Sequence, residues 1–262
     1  MPLAKQTGEL FELVLRCFPS LQECTMFHRP ARLVTSVVTV AALAVGSLAA
    51  TPPARAASKS SQCAQVHVFA ARGSAEPPGP GAIQSLVDLI KSHSDRTVSS
   101  NAIDYPALLF PYGQSSASGT AAVKQQITDQ VEKCPRQKIV LVGYSQGAHI
   151  IGDALGGGGG GNLGPETPPL DASIGDHVTA VIQMGDPRYT TGKPYNVGTA
   201  QRDGVFPRLP HQALSAFADR TRSYCDDNDP YCASGYSLQV HLGYLDRYST
   251  DALGFVLREI GG

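Results

Sequence analysis

The sequence predicts an α/β domain built on a parallel sheet with helices on both faces. Three observations carry that expectation. Short β-rich apolar runs alternate with segments whose apolar residues recur at helical spacing, as strand–helix–strand units require. The run Lys138–Val142 is almost wholly apolar, the mark of a strand buried on both faces. Finally, 262 residues at 42% hydrophobic and 16% charged suffice for one sizeable core.

The elements follow in order. Val66–Ala70 reads as the first strand, and Ile83, Leu86, Val87 and Ile90 as one face of a helix. Val98–Tyr105 is the second strand, followed by a helical stripe of Val123, Ile127 and Val131. Lys138–Val142 is the third strand, and Ala148, Ile151, Ala154 and Leu155 mark the next helix. Val178–Met184 and the weaker Arg222–Tyr224 complete the strands. Ser249 is placed to cap a last helix carrying Leu253, Val256, Leu257 and Ile260. The glycine run 156–161 reads as a flexible surface connection, because glycine costs entropy to order. Ligands in such sheets bind beyond the carboxyl ends of the strands. That gathers the loops after Ala70, Val142, Met184 and Tyr224 into one site.

The amino terminus separates from the fold. Arg29 and Arg32 precede an apolar stretch from Leu33 to Ala50, and Ala54-Arg55-Ala56 offers a cleavage site. This reads as a secretory signal over 26–56. A membrane anchor is the competing reading, but Thr35, Ser36, Thr39, Gly46 and Ser47 make the stretch weakly apolar for a spanning helix. Residues 1–25 read as a leader that translation from Met26 would leave out, or as an extension of the gene model. The remaining 57–262 form a single domain. The net charge of −1, without basic blocks, argues against nucleic-acid binding.

Of six cysteines, Cys17 and Cys24 fall in the leader, leaving Cys63, Cys134, Cys225 and Cys232. Four cysteines allow three pairings, and disulfides are the default in a secreted chain. The expected pairs are Cys63–Cys134 and Cys225–Cys232. Their wide spacing and the lack of a second histidine cluster argue against zinc.

The segment Gly143-Tyr144-Ser145-Gln146-Gly147 is a G-x-S-x-G turn between a strong strand and a helix. That context lifts a serine oxygen above the sheet and aims backbone N–H groups at the same point. The alternative is a tight glycine turn with an inert serine. A serine nucleophile needs a base. His28 is in the leader, and His67, His93, His149 and His177 read as structural or solvated. His211 and His241, both late and in loops, stay open. For the orienting acid, the Cys225–Cys232 loop offers Asp226, Asp227 and Asp229, with Asp186 as a rival at another strand end.

The run Val68–Ser74, the Gly143–Gly147 turn, the Cys225–Cys232 loop and His241 together resemble the cutinase family, carbohydrate esterase family 5. The likeness spans about Cys63 to Gly262 and is greatest to the fungal acetylxylan esterase branch. It implies an α/β-hydrolase-type three-layer sandwich with a five-stranded parallel sheet. It makes Ser145 the nucleophile, Asp229 the acid and His241 the base, with Ser74 and Gln146 as the oxyanion hole. It supports both disulfides. The implied protein is a secreted, extracellular, monomeric serine esterase that removes acetyl groups from xylan through an acyl-enzyme. It needs no metal or other cofactor, and its partner is a plant cell-wall polysaccharide or polyester rather than a membrane. Some segments depart from the branch: Ala71–Glu76 looks like the cutinase form, Leu242 is apolar beside the base, and several bracing cysteines are missing. A cutinase or short-chain lipase-like esterase is the alternative, and a catalytically dead secreted binding protein a more distant one.

Overall fold

The computed structural model describes residues 63–261. The expected leader, the signal segment, Cys17 and Cys24 lie outside the described residues.

Six strands form one parallel sheet: β1 (Val66–Ala71), β2 (Val98–Ala102), β3 (Lys138–Tyr144), β4 (Val178–Met184), β5 (Asn196–Val197) and β6 (Thr221–Tyr224). Their order is β2-β1-β3-β4-β6-β5. Every pairing is parallel. The sixth strand is β5, two residues long and paired only with β6. Two residues are too few to show a period, which is why the sequence suggests five strands.

The helices are α1 (Gln84–His93), α2 (Tyr112–Lys133), α3 (Gln146–Gly156), the short α4 (Ala172–Gly175), α5 (Leu238–Leu242) and α6 (Tyr244–Ile260). Alternate strand residues point to opposite faces, and the two cores divide accordingly. Val66, Val68, Val140, Val142 and Ile182 pack with Leu86, Val87 and Ile90 of α1 and Phe255, Val256 and Ile260 of α6. Phe69, Ala71, Ile139, Leu141 and Val181 pack with Val123, Ile127 and Val131 of α2 and Ile150, Ile151 and Leu155 of α3. Two helices therefore cover each face.

Three local expectations need correction. β2 stops at Ala102 rather than Tyr105; the last ladder bond is Ile103 N–H to Ala70 O, Tyr105 turns its hydroxyl to Arg72 O, and Pro106 has no N–H with which to continue. The last helix starts at Tyr244, placing Ser249 inside it. Buried Tyr244 and the rings of Tyr248 and Phe255 extend the apolar stripe, and the tyrosine hydroxyls hide that stripe in a hydropathy reading. The glycine run is ordered by hydrogen bonds rather than free. Gly158 bridges Thr167 in both directions, and Gly159 N–H donates to Asp153. A Cβ at Gly158 would lie 2.5 Å from Asp153 Oδ2. The glycines let the backbone close over a buried carboxylate.

Candidate active site

Ser145 stands between β3 and α3 with φ 54° and ψ −120°. A non-glycine residue in that region is strained and is held there by its surroundings. Ser145 N–H donates to the Met184 carbonyl of β4 at 2.8 Å. Gly147 lets the first turn of α3 press against the end of β1, because a Cβ there would meet Ala71 O at 2.0 Å. The serine is thus fixed over the carboxyl edge of the sheet.

Beyond β6 the disulfide Cys225–Cys232 closes a short loop, and Cys63–Cys134 ties the start of the described chain to the end of α2. Within the loop, Asp229 is wholly buried. Its Oδ1 accepts N–H bonds from Tyr231 at 2.7 Å and Cys232 at 3.0 Å. Its Oδ2 lies 2.8 Å from His241 Nδ1. Burial pushes the Asp229 carboxyl up. The hydrogen bond and charge of His241, with the two backbone donors, outweigh that and hold it below the ordinary aspartate value. With Asp229 ionised, Nδ1 carries the proton and Nε2 is left as an acceptor. His241 sits on α5 rather than in an open loop, and Ser237 caps that helix by accepting from Val240 N–H. Tyr231 packs edge-on against the imidazole at 4.6 Å, and Tyr144 lies tilted at 5.2 Å.

Ser74, Ser145 and His241 line one cleft of about 600 Å³. Gln146 is buried at the first position of α3, so its N–H has no helical acceptor. Its side chain is committed elsewhere: Oε1 accepts from Ser115 Oγ, and Nε2 donates to Leu108 O. These bonds tie the β2–α2 loop and the first turn of α2 to the turn that carries Ser145. The structure thus brings Ser74, Ser145, Gln146, Asp229 and His241 together at one sheet edge.

The other candidates go elsewhere. Asp186 is buried and accepts from Arg208, Gln183 and the Arg188 N–H. Asp226 binds Arg247 and the Tyr248 hydroxyl, and Asp227 is exposed. His211 pairs with Glu166 on the surface at 2.8 Å. His149 is wholly buried and bonded to Tyr112 and Asp153.

The cleft walls escaped the sequence reading. Leu109, Tyr112, Val205, Phe206 and Leu238 line it, and all but Tyr112 and Leu238 lie outside helices and strands. No period marks such residues; the one visible signal was an apolar triplet, Leu108-Leu109-Phe110, before a proline. The rim is apolar and open to solvent, with Leu109 61%, Leu238 52% and Leu242 64% exposed.

Comparison with known proteins finds relatives of the whole described domain. The cutinase family model matches residues 62–260. Cutinase 11 of Verticillium dahliae is 40% identical over 203 residues, covering 74% of this chain and 68% of that protein. Acetylxylan esterase of Hypocrea jecorina is 40% identical over 205 residues, covering 74% of this chain and 67% of that one. The catalytic core domain of acetyl xylan esterase from Trichoderma reesei superposes with a TM-score of 0.71 at 38% identity, over 76% of this chain and all of that one (100%).

Proposed function

The chain belongs to the cutinase family and is a serine carboxylic-ester hydrolase, and from that premise we propose that Ser145, His241 and Asp229 carry the reaction through an acyl-enzyme. The observation that supports this most is the 2.8 Å Asp229–His241 pair in the same cleft wall as Ser145. His241 Nε2 takes the Ser145 proton as Oγ bonds to the ester carbonyl carbon. Ser74 and the Gln146 N–H donate to the oxyanion that forms. The carbon–oxygen bond to the alcohol then breaks, and His241 returns the proton to the departing oxygen. Water, deprotonated by His241, attacks the acyl carbon; the bond to Oγ then breaks, His241 returns the proton to Ser145, and the acid leaves. Asp229 keeps the imidazole oriented and stabilises it when protonated.

The catalytic domain is residues 57–262, released outside the cell after loss of a signal over 26–56, and acting as a monomer on plant cell-wall polymers. Among the described residues no helix is long and apolar enough to cross a membrane. Amino-terminal sequencing of the secreted protein tests the boundary; a mature chain that keeps Leu10 or Phe11 contradicts it.

Removal of acetyl groups from xylan is the first substrate reading, supported by the relatives at 37–40% identity that are named acetylxylan esterases. The apolar rim favours the second, a cutinase-like preference for esters of longer apolar chains. A sugar backbone bearing acetyl groups gains little from exposed leucines, whereas an alkyl chain buries them at about 25 cal/mol per Å². Initial rates on acetylated xylan, cutin and nitrophenyl esters from acetyl to decanoyl separate the two. The rim predicts a kcat/KM maximum at butyryl or longer and release of cutin monomers. A maximum at acetyl with rapid xylan deacetylation supports the first reading instead.

A further inference from the structure

We propose that Glu76 is a positioning residue of this esterase, whose carboxylate clamps the loop after β1 so that Ser74 is held where the oxyanion forms. The proposal rests on the assignment of Ser145 and Ser74 given above. Glu76 Oε2 accepts the Gly73 N–H at 2.5 Å, and Oε1 accepts the Ala82 N–H at 2.7 Å. One carboxylate therefore joins the segment that carries Ser74 to the 3-10 turn Gly81–Ile83. The loop needs holding. Ala75, next to Ser74, has φ 63°, a left-handed conformation that a non-glycine residue keeps only when its surroundings hold it. Its N–H is tied to Ala107 O at 2.7 Å. Buried Arg72 fixes the near end of the loop by donating to the Glu76 carbonyl and to Tyr105 O.

The space is cut to the carboxylate. A Cβ at Gly81 would lie 2.4 Å from Glu76 Oε2, and one at Gly73 would lie 3.3 Å from it. A side chain at Gly81 would displace the carboxylate outright, and one at Gly73 would crowd it. Glu76 also lines the cleft with Ser74 and Ser145, and there its charge works against the reaction. A carboxylate beside the site repels a developing oxyanion, so a residue acting through its charge would slow the enzyme. What Glu76 contributes is geometry, and the sign of its substitution separates the two effects.

Glu76→Gln removes the charge and leaves one acceptor for two N–H donors. Glu76→Asp keeps the charge but is one methylene too short to reach both. Wild type and both variants are compared on nitrophenyl butyrate, with active sites counted by nitrophenyl phosphonate titration. Phenylboronic acid, which forms a tetrahedral adduct with an active serine, reports on the oxyanion hole. The clamp predicts that both variants lose about 10–100-fold in kcat per titrated site, a fraction of the loss when an oxyanion donor is removed. KM should stay within about 3-fold, because the loss falls in the transition state. Boronate binding should weaken by the same factor as kcat. An unchanged or raised kcat per site in Glu76→Gln overturns the clamp. So does full activity in Glu76→Asp, or a fall in titratable sites with kcat per site intact. A wild-type enzyme without esterase activity sinks the Ser145 assignment itself, and the clamp with it.

Discussion

Two buried Asp–His pairs stand in this molecule, one beside the cleft that holds Ser145 and the other on α3, one helical turn beyond Ser145. Asp229 and His241 meet at 2.8 Å beside the cleft that holds Ser145. Asp153 and His149 meet at 3.2 Å, and His149 continues to the Tyr112 hydroxyl at 2.9 Å. The residue types match, but the surroundings differ. Among the described residues Asp229 pairs with backbone donors and His241 and with no lysine or arginine, so its charge is directed at one imidazole. Asp153 is shared among His149, Arg188 and Arg208, with Arg208 going on to Asp186. Both ring nitrogens of His149 are engaged inside the protein, which leaves none to exchange a proton with substrate. Such a cluster holds the β4 loop and the glycine run against α3. A relay becomes catalytic through what its far end touches.

The largest expected effects set the two chains apart by activity. Ser145→Ala should abolish hydrolysis of nitrophenyl butyrate. Asp229→Asn should lower kcat by about 10³–10⁴-fold with little change in melting temperature, since loss of the orienting acid costs that much in serine proteases. If Asp186→Asn were instead the damaging change and Asp229→Asn harmless, the acid assignment would fall. The next effect is on stability. Burial pushes the Asp153 carboxyl up, and His149, Arg208 and Arg188 outweigh it, holding it far below the ordinary range. Asp153→Asn leaves two buried arginines short of a partner and should cost about 3–5 kcal/mol by urea unfolding. Its kcat per titrated site should stay within about 3-fold of wild type. A large loss of kcat per site would make the second relay part of the mechanism.

A third histidine sharpens the contrast by pH. His67 in β1 is buried with Nε2 unpartnered, while Nδ1 lies 2.8 Å from Ser99 Oγ. Burial, then Lys133 and Lys91, depress its pKa from 6.5 to about 4. The unfolded chain binds the proton first, so His67 contributes stability that is present above pH 6.5 and lost as pH falls toward 4. At 1.36 kcal/mol per unit this amounts to about 3 kcal/mol at most. His67→Phe should flatten the stability curve across that window; an unchanged slope would assign the loss to other groups. The smallest effect is that of the Cys225–Cys232 bridge, whose replacement by two serines should cost about 2 kcal/mol for so short a loop. It should also lower kcat, because the bridge fixes the loop that presents Asp229. Equal kcat would show that the N–H bonds from Tyr231 and Cys232 suffice.

Much of this could be read from the chain, and the limits have physical causes. The main strands declared themselves by apolar runs, and the Ser145 turn by the glycines that its crowding demands. The acid was narrowed to the disulfide loop, with Asp186 as its rival, but not to one aspartate, because spacing does not reveal which buried carboxylate meets an imidazole. His149 was read as structural or solvated, and its burial is structural; nothing local announced two arginines arriving from the β4 loop and the chain beyond it. The glycine run misled for the same reason: flexibility is a property of glycine alone, while close approach depends on what lies opposite. Glu76 was equally silent, since its partners are backbone N–H groups with no sequence signature.

The most direct test of the account is intact-mass and peptide mass analysis after incubation with a nitrophenyl phosphonate. The account predicts one adduct per chain, located on Ser145, formed slowly in Asp229→Asn and at near wild-type rate in Asp153→Asn. An adduct on another residue, or none on a folded wild-type chain, would contradict it.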